Sequence, residues 1–226
     1  MVQKAKARRG RPPAYDADAA MASVMDVFWH AGYAATSLDD ISVATGMNRP
    51  SLYGAFGDKR ALYCAALERY RALARVGMKE ALAPDRTLRD GIAAVYKKAL
   101  SLYFSGAAGP RGCFMIGTAL TEAVGDPDLR KALGDGLRDI EAAFASRIRF
   151  AQKHGELARE ADAAALARLA SAILYSLAVQ SRAGVARAAL EATAKAALDL
   201  ICGGSVGAPR RGVRVAKALS PRERVG

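Results

Sequence analysis

The densest run of chemically useful side chains lies between residues 36 and 59. Arg49, Ser51 and Gly54 fall on one side of a short segment. An arginine there can meet a guanine edge with two hydrogen bonds or grip a phosphate, and a serine can donate to a base or backbone oxygen. A glycine leaves room for a base or sugar to approach. Thr36, Tyr53 and Lys59 suit phosphate clamping, which sets register rather than sequence preference. Lys59 also follows Asp58 at a helix start, where backbone amides face outward toward an anion. Ser37, Asn48 and Pro50 stand at the starts of the same two helices and complete the candidate contact set. Together these residue types point to double-stranded DNA as the partner.

Such contacts need a rigid support. Ser37 is read as the cap of a short helix carrying Leu38, Ile41 and Ala44, closed by Gly46, whose residue type tolerates a left-handed turn. A second short helix is expected from about residue 50 to 56. Pro50 leaves its cap open between Asn48 and Arg49, because proline prefers the first helical position. Ile41, Met47 and Leu52 are spaced to pack the pair together, and Ser42 is small enough to let the helices approach. Two helices about a tight turn, the second offering its N-terminal turn to a major groove, form a helix-turn-helix.

Helical periodicity continues along nearly the whole chain, with no sustained alternation of period two. Asp16 caps a first helix to about residue 30, with Gly32 closing it. Asp58 caps a long fourth helix to about residue 82, and Thr87 caps a fifth to about 103. A loop covers 106–112, and 113–124 is short and apolar. Asp126-Pro127 opens a helix to about 154 in which Gly134 and Gly136 suggest a kink or a later start. Asp162 caps the next, to about 183, and the last spans 186–201. The expected fold is all-α: a three-helix DNA-binding unit at 16–63 and six helices at 64–203.

Composition agrees. Apolar residues make up 52% of the 226, enough for a buried core, and the 7% aromatic share with abundant alanine favours helices over sheets. The net charge of +12 is concentrated at the ends. Residues 1–15 hold Lys4, Lys6, Arg8, Arg9 and Arg11, and residues 204–226 are similarly basic, so the body between is nearly neutral. Both ends read as disordered basic segments suited to a polyanion. Arg8, Arg9 and Arg11 can reach an adjacent minor groove or simply bind phosphates.

Enzymatic and metal chemistry find little support. His30 and His154 lie in separate helical units, and no phosphate-cradling glycine loop accompanies them. The three cysteines, Cys64, Cys113 and Cys202, are widely spaced, without a zinc pattern or disulfide framework. No cofactor or metal is expected, and no membrane partner, since no signal pattern or bilayer-length apolar stretch is apparent; the setting is read as cytoplasmic. A helical enzyme and a nucleoid-type protein binding DNA without sequence preference are the rival readings.

Gly32-Tyr33, Thr36-Ser37, Asp40-Ile41, Ala44, Gly46, Leu52-Tyr53, Phe56 and Lys59, with the run Ser-Leu-Tyr-Gly-Ala-Phe-Gly-Asp-Lys-Arg-Ala-Leu-Tyr at 51–63, carry a specific pattern. Residues 16–63 resemble the DNA-binding domain of the tetracycline-repressor (TetR/AcrR) family. Ser42, Met47 and Asn48 depart from the alanine, valine and serine or threonine usual there. Gly54 and Ala55 replace a bulkier pair, which removes base contacts. The resemblance implies a six-helix regulatory domain, dimerisation through the last two helices, an effector pocket among the middle helices, and ligand-controlled repression at a near-palindromic operator.

Tyr96, Leu100, Tyr103, Phe104, Cys113, Phe114, Met115, Thr118, Glu122 and Tyr175 are the candidate pocket residues, with core packing the competing reading for each. Thr118 and Glu122, one turn apart among apolar neighbours, are candidates to meet a polar group of the ligand. Cys113, at a helix start after Arg111, has the surroundings that activate a thiol. Its Gly112-Cys113 segment resembles a family branch that senses electrophiles through cysteine. Alanines at 163–165, 167, 170, 172 and 178, and at 188, 189, 192, 196 and 197, make the last two helices suited to close pairing.

Overall fold

The computed structural model describes residues 16–106 and 109–203. Among them stand nine helices and no strand: α1 (Ala17–Ala35), α2 (Leu38–Thr45), α3 (Arg49–Phe56), α4 (Lys59–Ala81), α5 (Leu88–Tyr103), α6 (Leu120–Glu122), α7 (Pro127–Lys153), α8 (Ala163–Arg182) and α9 (Arg187–Cys202). A π-helical turn, Met115–Ala119, runs directly into α6. The division into three and six matches the expectation. Arg8, Arg9, Arg11 and the C-terminal basic segment lie outside the described residues.

Polar caps start most of the helices. The carboxylates of Asp16, Asp58, Asp126 and Asp162 and the hydroxyls of Ser37 and Thr87 accept from backbone amides of the first turn. Each thus satisfies donors that a helix start leaves orphaned. Ser37 and Asp40 form a reciprocal capping box. Asn48, not Arg49, caps α3: its side chain accepts from the Ser51 amide at 2.9 Å, and Pro50 sits in the first turn, where its missing N–H costs nothing. Gly32 leaves helical geometry inside α1 (φ 82°, ψ 169°), so the chain breaks there before a last turn ends at Thr36.

The expected irregularity in α7 does not occur. The helix continues through Gly134 and Gly136. At Gly136 the side chain of Met115 occupies the space a Cβ would need, so this glycine serves packing between α7 and the π-helical turn. Helix α8, by contrast, is long and apolar enough to cross a membrane by composition, with a mean hydropathy of 1.4. Leu166, Leu169, Ile173, Leu174, Leu177 and Val179 supply most of that hydropathy, but Arg168 and the intervening polar residues keep the segment from reading as a continuous apolar stretch. In the fold α8 packs against α5, α7 and α9 as one member of a helical body.

One core joins the N-terminal helices to that body. Tyr63 of α4 lies 5.1 Å from Phe28 and 4.9 Å from Tyr33, ring centre to ring centre, and 5.9 Å from Phe114. Trp29 packs on Tyr70 at 5.1 Å and on Phe114 at 5.7 Å. Its indole N–H donates to the carbonyls of Arg111 and Gly112. Aromatic pairs of this geometry contribute beyond the area they bury.

Candidate nucleic-acid interface and its companion cavity

Helices α2 and α3 meet around Gly46, whose left-handed backbone (φ 67°, ψ 10°) turns the chain. Ile41, Met47 and Leu52 are buried beneath the turn, as their spacing predicts, and the Ser42 hydroxyl donates to the Met47 carbonyl. This fixes α3 against α2 and leaves its other side free. Asn48, Arg49, Pro50, Ser51, Tyr53 and Gly54 are all exposed.

Arg49 is not a loose cation. Its Nε and Nη2 fork onto both carboxylate oxygens of Asp39 in α2, with Nε 2.7 Å from Oδ1. The pair is solvent-exposed, and it leaves Nη1 and the outer edge of Nη2 available as donors. Sequence reasoning did not find Asp39, because nothing in the chain shows that residues ten apart meet across the turn. Ser37 spends its hydroxyl on Asp40 in the capping box.

One of the expected phosphate clamps is placed differently from expectation. Thr36 is 2% exposed and donates its hydroxyl to the Gly32 carbonyl at 2.7 Å, so it secures the α1–α2 corner rather than reaching outward. Lys59 lies over the Tyr33 ring at 4.6 Å, with Nζ 3.4 Å from the Ala34 carbonyl, beside the start of α4. Tyr53 is half exposed and open to solvent.

A cavity of about 790 Å³ opens in the helical body. Of the candidate pocket residues, Tyr103, Cys113, Met115 and Tyr175 line it. The other six do not. Tyr96 is buried and donates to the Ala170 carbonyl, and Leu100 is core. Phe104 sits near Arg187, and Phe114 belongs to the aromatic cluster. Thr118 accepts from the Tyr63 hydroxyl at 2.7 Å and itself donates to the Phe114 carbonyl, so both its hydrogen-bonding roles are filled within the fold. Glu122 is half-buried near Tyr33, whose hydroxyl pKa is pushed up chiefly by burial and next by the Glu122 charge.

The cavity walls come largely from segments not assigned to a pocket: α1 through Met25 and Trp29, α4 through Tyr70, Ala74 and Met78, and α7 through Ile140 and Ala143. The four-residue spacing of Tyr70, Ala74 and Met78 marked an inward-facing stripe, but a stripe on a void and one on a core read alike.

Cys113 also departs from expectation. It is buried, it accepts a hydrogen bond from the Tyr70 hydroxyl at 3.2 Å, and burial pushes its thiol pKa up. Arg111, which was to activate it, instead stacks on Trp29 at 3.9 Å and pairs with Asp26 at 2.7 Å. The thiol is therefore not activated in this conformation.

The alanines of the last two helices divide. Ala167, Ala170, Ala178 and Ala197 are buried within the chain. Ala164, Ala165, Ala172, Ala188, Ala189, Ala192 and Ala196 are exposed, together with Val179 (55%) and Leu200 (71%).

A helix-turn-helix with a free reading side, mounted on a helical body with its own cavity, is the build of a DNA-binding transcriptional regulator. Residues 21–66 match the family of bacterial regulatory proteins of the tetR type, and residues 90–197 match the tetracyclin repressor-like C-terminal domain. The HTH-type transcriptional repressor ComR of Escherichia coli (strain K12) is 31% identical over 183 residues, 81% of this chain and 87% of ComR. A cysteine variant of the TetR family transcriptional regulator CifR, solved with 26-bp double-strand operator DNA, superposes with a TM-score of 0.72 at 33% identity, covering 84% of this chain and 98% of that one. Reduced NemR of E. coli shares the fold at a TM-score of 0.70 and 20% identity, covering 80% of this chain and 93% of that one. The chain belongs to the tetR family of bacterial regulatory proteins.

Proposed function

We propose that this protein is a dimeric, effector-controlled repressor acting in the cytoplasm. Residues 16–63 bind operator DNA and residues 64–203 dimerise and hold the effector. The carrying observation is the exposed N-terminal turn of α3, fixed by a capped turn and a buried Ile41–Met47–Leu52 seam. In this reading Arg49 reads a guanine edge, Ser51 and Gly54 accompany it in the groove, and Tyr53 and Lys59 hold phosphates. The exposed alanines of α8 and α9, with Val179 and Leu200, form the dimer face. Two-fold symmetry then sets two α3 helices about 34–36 Å apart, one DNA turn.

Control runs through α4. Its first turns carry Lys59 and Tyr63, packed on α1, and its middle carries Tyr70, Ala74 and Met78, which line the cavity. Arg60 forks onto Asp126 (2.7 Å and 3.0 Å) and reaches Asp128 at 2.7 Å, joining the start of α4 to the start of α7. A ligand favouring a different spacing of α4 and α7 tilts both recognition helices out of register. Its power to do so is its difference in affinity for the two states.

Purified protein titrated onto DNA from its own promoter region, against excess random competitor at fixed salt, tests this. Saturable binding of two protomers at one near-palindromic segment is expected. Equal competition by random DNA, with no preferred segment in a genome-wide selection, overturns site-specific repression.

A further inference from the structure

We propose that the cavity binds an amphipathic organic acid, with its carboxylate taken by the Tyr103 hydroxyl and the cationic lining and its apolar body among the helices; this inference rests on the repressor reading above. Three observations carry it.

The walls are largely apolar, formed by side chains such as Met78, Val95, Ala99, Ile140 and Leu174, and a space of about 790 Å³ lies in the range that holds drug-sized molecules. An apolar ligand body gains there by leaving water, whereas a polar group set against those apolar walls would lose its hydration without compensation.

The ion pairs around the cavity are oriented. Arg71, Arg75, Lys98, Arg111 and Arg147 all line it. Their carboxylate partners are Glu68, Asp139, Glu80, Asp26 and Glu156, and of these only Asp139 lines it. The positive member of most pairs is thus nearer the space than the negative one. An anion inside gains more from the near cations than it loses to the carboxylates behind them, and a cation experiences the reverse.

Donors are also left over. Tyr103 is 4% exposed and lines the cavity, and its hydroxyl donates to no described residue. Nε of Arg71 and of Arg111, and Nε and Nη1 of Arg147, also lack a hydrogen-bond partner among the described residues, but they are covered by protein and meet a ligand only if their side chains shift. Donors with nothing to receive them favour a ligand rich in acceptors, and a carboxylate offers acceptor sites and no donor.

The test uses the full chain and two matched series: dodecanoate, methyl dodecanoate and dodecylamine, then 6-phenylhexanoate with its methyl ester and 6-phenylhexylamine, each kept below aggregation. Calorimetry measures binding, and operator affinity without any probe is measured on every variant as the check of fold. The acids are expected to bind at least about tenfold tighter than their esters and amines. Tyr103→Phe should weaken acid binding about threefold or more, and Ala99→Phe, which fills the space, should abolish it. Glu122→Gln, outside the cavity, should leave it unchanged. Equal binding of ester or amine, unchanged acid binding in Ala99→Phe, or no binding by any probe at about 1 mM overturns the ligand class. If the probe-free protein still holds its operator, those results leave the repressor reading standing. Acid binding that leaves operator affinity unchanged instead supports the ligand class and removes the proposed coupling.

Discussion

Replacing Asp39 with alanine separates a positioning role from a merely electrostatic one. In the fold, Asp39 holds Arg49 through Nε and Nη2, and both side chains are more than half exposed (56% for Arg49, 66% for Asp39). An exposed pair of this kind contributes about 0–1 kcal/mol to stability, so Asp39→Ala should unfold within that margin of the parent. The effect on DNA should be larger and of two signs. Freed from its fork, Arg49 must be ordered anew on binding, at about 0.5–1.5 kcal/mol for a side chain with many rotamers. Operator affinity should therefore fall by about 2- to 12-fold. Binding to random DNA should stay level or rise, because a negative charge beside the phosphates has gone. Fluorescence anisotropy on operator and random duplexes, at matched salt, reads both. If Asp39 only repels DNA, the two affinities rise together and their ratio holds. That result would refute the positioning argument, and so would an Arg49→Lys variant with wild-type preference, since lysine keeps the charge and loses the fork.

Three further outcomes follow from the packing. Thr118→Val should cost about 1–3 kcal/mol in urea denaturation, because it leaves the buried Tyr63 hydroxyl without its acceptor. Tyr63→Phe should cost only about 1 kcal/mol, since Thr118 still donates to Phe114; the opposite order would contradict the assigned directions. Gly134→Ala should raise stability by up to about 1 kcal/mol, because only the mobile end of Arg138 stands 3.3 Å from the new methyl, whereas Gly136→Ala should lose that gain against Met115. In native thiol labelling at neutral pH, Cys113 should react after Cys64 and Cys202, being the most buried and held protonated by that burial. Labelling of Cys113 first would restore the activated thiol suggested by its place after Arg111.

The helix-turn-helix was legible because its determinants are local. Ser37, Gly46, Asn48 and the Ile41–Met47–Leu52 spacing act within about one or two helical turns, where residue type and backbone geometry are directly coupled. The caps at Asp16, Asp58, Thr87, Asp126 and Asp162 were readable for the same reason. The cap of α3 stayed open in the sequence because two local preferences competed there, and the fold decides for Asn48, whose side chain reaches the Ser51 amide. Gly136 failed as a predicted kink because its cause is distant. The space it vacates is taken by Met115, and that is visible only once α7 and the π-helical turn meet.

The cavity was legible in part for a different reason. Apolar residues at helical spacing mark a face turned inward, but whether the facing side chains close the gap depends on their sizes across three or four helices at once. Tyr103, Cys113, Met115 and Tyr175 were found because large or polarisable side chains were sought in the middle helices. Trp29 and Met25 were not, because α1 was assigned wholly to DNA binding. That oversight bears on mechanism. Trp29 touches the cavity, anchors its indole on the Arg111 and Gly112 carbonyls, and belongs to the same helix as Phe28 and Tyr33, which pack on Tyr63. A ligand displacing Trp29 therefore pushes on the support of the recognition helix directly, not only through α4. With two elements, α1 and α4, shared between cavity and reading head, a small shift at the ligand is carried by packed side chains with little room to absorb it, and that rigidity makes release from the operator an expected consequence of binding.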